Sequence, residues 1–131
     1  MKFFLKMFFL AILISNSSFA KTIPCPSVEQ IRNANFVDAV SWLPTHWSAM
    51  TQTFIDNGNK WAAGAVFDFD SDNKKDALNY VQHQIQVAPL AEPSIHEQQN
   101  EMVCYYTEDN SFLIMAIYPA DSKHAMNYLK R

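Results

Sequence analysis

Three aspartates stand at alternate positions in the run 66–81, VFDFDSDNKKDALNYV, at Asp68, Asp70 and Asp72, and a fourth, Asp76, follows. Calcium gathers roughly six to eight oxygen ligands, and carboxylates two residues apart are how an EF-type loop supplies them. Counted from Asp68, the acids fall at positions 1, 3, 5 and 9 of such a loop. Position 12, which needs a bidentate glutamate, is Asn79. Lys74 and Lys75 fill positions 7 and 8, and Asn73 stands where glycine makes the turn. A plainer account uses the same residues. Phe67 and Phe69 turn into a core, Asp68 and Asp70 point out of a strand, and Ser71 or Asp72 caps the next helix, where acids suit the helix dipole. A strand running into a capped helix is the expectation; a calcium-dependent extracellular module built on Asp68, Asp70, Asp72 and Asp76 is the alternative.

The other chemically active residue types form no recognisable pattern. His46, His83, His96 and His124 have no metal-ligand spacing with one another or with cysteine. There is no G-x-S-x-G nucleophile turn, and with only Gly58 and Gly64 no glycine-rich phosphate loop. A small hydrolase would need residues that converge only in space, and stands as a second alternative. Trp42, Trp47, Trp61 and Tyr106 form a candidate binding surface, since such residues concentrate binding energy. Core packing competes for each of them.

The start of the chain predicts its destination. Lys2 and Lys6 precede the apolar run 8–14 (FFLAILI), and Ser18-Phe19-Ala20 places small residues where a signal peptidase reads them. The run is shorter than the roughly 20 residues a bilayer span needs. A signal peptide over 1–20 and a single secreted or periplasmic domain over 21–131 are expected, with no membrane span after cleavage. Loss of Lys2 and Lys6 leaves 8 basic residues against 13 acidic ones, a net charge of −5 with histidine neutral. The remaining cations are scattered, which argues against nucleic acid as a partner. In an oxidising compartment, Cys25 and Cys104 predict one disulfide.

The elements that must position these residues follow from periodicity. Ser27 with Gln30 fits a capping box for a short N-terminal helix. Residues 36–43 read as a strand ended by Pro44. Residues 47–55 and 60–69 flank Asn57-Gly58, the strongest hairpin signal, and Gly64 suggests a bulge or a close contact. Apolar positions at Leu78, Val81, Ile85 and Ala88 predict a helix over 72–88, stopped by Pro89, with Gln82 and Gln86 on its wet side. Residues 90–101 read as a long loop, and 102–107 and 112–118 as a second hairpin. That hairpin is apolar on both faces, as central strands covered on each side would be. Asp121 or Ser122 would cap a last short helix carrying Ala125, Met126 and Leu129. The expected fold is α+β: an antiparallel sheet of about four to five strands with one long amphipathic helix across a face and a short N-terminal helix.

Cys-Pro near the mature start, a Trp-flanked hairpin at Asn57-Gly58, an amphipathic helix and Cys104-x-Tyr106 on a strand together give a familiar layout. It resembles small secreted disulfide-bonded proteins of unassigned function from intracellular Gram-negative bacteria. The resemblance implies an envelope or exported location and a host-facing role, and carries over no catalytic residue. The expectation is therefore a non-enzymatic binding or interaction module, its partner a protein or small ligand of unknown identity, with calcium the one cofactor in question.

Overall fold

The structure, a computed structural model, describes residues 23–98, 100–107 and 111–121. The leader and the last short helix expected from the sequence lie outside the described residues. In chain order the elements are α1 (Val28–Arg32), β1 (Phe36–Leu43), β2 (His46–Thr51), β3 (Phe54–Asp56), β4 (Asn59–Asp68), α2 (Lys74–Val87), β5 (Ser94–Gln98), β6 (Glu101–Tyr105) and β7 (Phe112–Tyr118). One antiparallel sheet runs β1-β2-β4-β7-β6-β5, with β3 also paired to β4.

The expected hairpin turn is present. Asn57 and Gly58 take φ of +49° and +78°, the two left-handed residues that a tight hairpin needs to match strand twist. Further along the same edge of β4 the ladder slips. Met50 faces Gly64 and Phe54 faces Trp61, so three residues on the β2–β3 line oppose two on β4. That is a bulge, and Thr51 repairs it: its Oγ1 accepts a hydrogen bond from the Ala63 amide at 2.9 Å, where a backbone carbonyl would otherwise serve. The irregularity near Gly64 thus lies in the opposite strand.

The sheet buries unlike faces. Trp47, Ala49, Trp61, Ala63, Ala65, Phe67, Ile114, Ala116 and Cys104 share one core with Ala77, Val81 and Ile85 of α2. Ala39, Ala49, Ala63, Ala65 and Ala116 carry almost no side chain, so the helix and the large rings fill the space above them. Asn73 caps α2, its Oδ1 accepting from the amides of Lys75 and Asp76; Ser71 and Asp72 do not. Gln82 and Gln86 are latches. Gln82 accepts from the Phe36 amide at 2.9 Å and donates to the Ala34 carbonyl, and Gln86 donates to the Arg32 carbonyl at 2.6 Å. Arg32 in turn donates to the carbonyls of Ile85 and Gln86, a cation at the negative end of α2.

The expected α+β fold with a sheet of four to five strands is corrected: the described residues are mostly sheet, with seven antiparallel strands. Two causes account for it. The polar, proline-bearing segment 90–101 contains β5, an edge strand exposed on both faces, which needs no apolar alternation. The bulge at Thr51 splits one line into β2 and β3. In β1, register shifts at Val37 and Trp42 likewise replace alternation with burial at Phe36 and Ala39.

A strap closes the helix-covered face. Cys25 and Cys104 are disulfide-bonded with Cα atoms 6.0 Å apart, and the buried Tyr106 hydroxyl donates to the Pro26 carbonyl. Loop closure over 79 residues is worth about 4 kcal/mol in the chain-entropy model. Cys25→Ser with Cys104→Ser should lose about that much in urea unfolding, and a loss under about 1 kcal/mol would contradict it. Burial, with lesser contributions from Asp56 and Glu92, pushes the Tyr106 phenol well above its ordinary range. The native state therefore keeps a proton that the unfolded chain releases above about pH 10, and stability falls as pH rises through that region. Tyr106→Phe should be about 1–2 kcal/mol less stable at neutral pH, through the stranded Pro26 carbonyl, yet show a shallower alkaline decline. An unchanged decline would place the proton elsewhere.

Candidate functional site

Where β4 ends and β7 begins, the sheet and the last turns of α2 diverge. Tyr80 keeps them apart: its ring stacks on Phe69 at 4.5 Å and tilts against Phe67 at 5.5 Å. Pro89 ends the helix, and the chain is pinned two residues later by the Ala91 amide donating to the Tyr106 carbonyl at 2.8 Å. The far wall is held by Thr107, whose Oγ1 accepts from the Ile114 amide. The result is a half-open cleft of about 680 Å³, within the range of small-molecule sites.

Its chemistry is mixed in a defined way. Tyr80 and Phe112 supply aromatic surface, and Val87 to Ala91 an aliphatic rim. Gln84, Thr107 and Ser111 are its polar residues, and Asp68 is the one charged residue among its described lining residues. No lysine, arginine or histidine is among the described lining residues. Asp68 also pairs with Nδ1 of His46, whose ring stacks on Trp42 at 5.3 Å. A His–Asp pair orients an imidazole but does not by itself make a nucleophile. Among the described residues, the side chains with displaced pKa values stand outside the cleft. They are Tyr106 and Asp38, the latter held below the usual carboxylate range chiefly by the hydrogen bond from Lys74.

The structure scatters most of the residues that the sequence singles out. Asp68 turns to His46, Asp70 and Asp72 are exposed, and Asp76 lies in the first turn of α2. Among the described residues, no three histidine, cysteine or acidic side chains gather as a cation site requires. Trp47, Trp61 and Tyr106 are core residues, and of the four aromatic candidates Trp42 alone is partly exposed. Trp47 Nε1 donates to the Ser71 carbonyl, which locks the strand-to-helix passage. His83 is exposed on α2 and His96 meets Tyr105 edge-on; His124 lies outside the described residues. Tyr80, Gln84, Thr107 and Phe112 went unmarked in the sequence because their partners are distant along the chain. The one local signal was Pro89.

The chain matches no family model, no curated protein and no solved structure. Among the described residues, no helix is long and apolar enough to cross a membrane.

With Asp68 held by histidine and its neighbours splayed along strand, loop and helix, millimolar calcium should leave the melting temperature of residues 21–131 unmoved. A rise of several degrees that Asp70→Ala removes would restore the aspartate run as a site, since a ligand bound only to the native state must stabilise it.

Proposed function

We propose that the chain is a non-enzymatic binding module, secreted or periplasmic once residues 1–20 are removed, and that its site is the cleft between α2 and the β6–β7 end. The observation that carries this is the lining itself: aromatic and aliphatic walls, a few fixed polar groups, and Asp68 as the one charged residue among those described. Such a cleft favours a small, largely apolar ligand with a cationic or hydrogen-bond-donating head. On this reading Asp68 attracts that head from the edge of the cleft while its carboxylate keeps the pair with His46. Tyr80 and Phe112 take the apolar body. An anionic ligand finds a carboxylate and no described cation, so it is disfavoured. The oxidising destination is supported by the leader pattern and by the Cys25–Cys104 bond.

Thermal unfolding against matched compounds tests this reading. Phenethylamine, phenylacetamide and phenylacetate share a ring and differ in head group. The amine should raise the melting temperature most, the amide less, and the carboxylate not at all. Asp68→Asn should remove the preference for the amine, and Phe112→Ala should weaken the amine and the amide alike. Equal responses to all three compounds, or none to any, would contradict the proposal.

A further inference from the structure

An end strand of a sheet is a template for another strand, because its outer amides and carbonyls are open to pairing. β1 ends the sheet order beside β2, and its sequence, FVDAVSWL, has the β-branched and aromatic composition that pairs readily. Val37, Val40 and Leu43 are 44, 54 and 49 % exposed. The hydrogen bonds along β1 work against pairing. The Asn35 carbonyl accepts from the Gln52 amide and so turns toward the β2–β3 line. Across a trans peptide the Phe36 amide then points the other way, outward. Gln82 Oε1 of α2 takes that amide at 2.9 Å. Three residues on, the Ala39 amide donates to Oδ1 of Asp38 at 2.9 Å, and Lys74 Nζ donates to the same oxygen at 2.9 Å. Near the end of the strand, Ser41 Oγ donates to the Leu43 carbonyl at 3.1 Å. The register shifts at Val37 and Trp42 also break the even spacing that a second ladder would follow. All of these fall on the strand that carries the exposed apolar row.

We propose that Gln82, Asp38 and Ser41 seal the β1 edge, and that the strand they exclude is β1 of a second copy of this chain. An incoming strand must break the bonds these side chains make before it can form its own. It must also strip water from the Asp38–Lys74 pair, both of whose side chains are 60 % exposed. The second copy is the excluded partner because it presents the same apolar row and is present at the protein's own concentration. Antiparallel pairing of β1 with itself about a two-fold axis at Ala39 and Val40 would set the two rows side by side and join two sheets into one. Gln82 and Lys74 reach β1 from α2, so the helix that covers one face of the sheet also guards its end.

Sedimentation of residues 21–131 between micromolar and millimolar concentration provides the test. The parent should remain a monomer throughout. Asp38→Ala with Ser41→Ala, both at exposed positions, should shift to dimers or larger species as concentration rises. Adding Gln82→Ala frees the Phe36 amide as well and should lower the concentration of that shift several-fold. Val40→Lys in the same background puts a charge in the middle of the edge and should restore the monomer. A double variant that keeps the parent's circular dichroism and stays monomeric overturns the proposal. So does association that Val40→Lys leaves unchanged, and so does a parent dimer that Val40→Lys dissociates. Amide hydrogen exchange gives a reading on the parent itself. The amides of Phe36 and Ala39 should be protected although they lie on an end strand, and exchange of both at the rate of an open chain would overturn the seal.

Discussion

Tyr106 is the joint through which the distant parts of this chain hold one another. Its hydroxyl takes the Pro26 carbonyl, its amide donates to the Ile114 carbonyl and its own carbonyl accepts from Ala91. Two residues away, Cys104 makes the covalent bond to Cys25. One short stretch of β6 and its exit thus fixes the N-terminal strap, the neighbouring strand and the loop that forms the rim of the cleft. A buried hydroxyl that donates to a buried carbonyl contributes little net free energy when made and costs more when broken. Its value is geometric. The strap sets α1, Arg32 of α1 holds the last carbonyls of α2, and the end of α2 sets the mouth of the cleft.

The same arrangement explains why the cleft is open. Alanines on β1, β2, β4 and β7 let the large side chains of the helix-covered face pack close to the sheet. At the end of β4 the sheet changes character: Phe67, Phe112 and Phe69 just past the strand replace the alanines, and Tyr80 of α2 packs on Phe67 and Phe69. These rings hold the helix off the strands where Pro89 releases it. A bulky floor under a helix terminus leaves a hollow, and Asp68 is the one acidic residue among its described lining residues.

Much of the local structure was legible in the sequence. Asn57-Gly58 specified its turn, Leu78, Val81 and Ile85 with Pro89 specified α2, and the two cysteines specified their bond. What failed was the count of strands. An edge strand such as β5 meets water on both sides and carries no alternation, and bulges at Val37, Trp42 and Thr51 shift the phase on which a period of two depends. Gln86 is exposed as expected, but the latching role of Gln82 and Gln86 was illegible because a side chain that binds a distant backbone leaves no periodic trace. The cleft was illegible for the same reason: Asp68, Tyr80, Thr107 and Phe112 meet only through the fold. The aspartate run misled in the other direction, since spacing along a chain that passes from strand to helix is not spacing in space.

The claim on which the account rests is that the cleft, and not the exposed β1 edge or the aspartate run, receives a ligand. Backbone amide shifts of isotope-labelled residues 21–131, followed during titration with phenethylamine, locate binding directly. The account predicts shifts concentrated at Tyr80, Gln84, Val87, Leu90, Thr107 and Phe112, with Asp68 and His46 following. Shifts centred instead on Val37, Val40 and Leu43, or spread evenly over the surface, would contradict it.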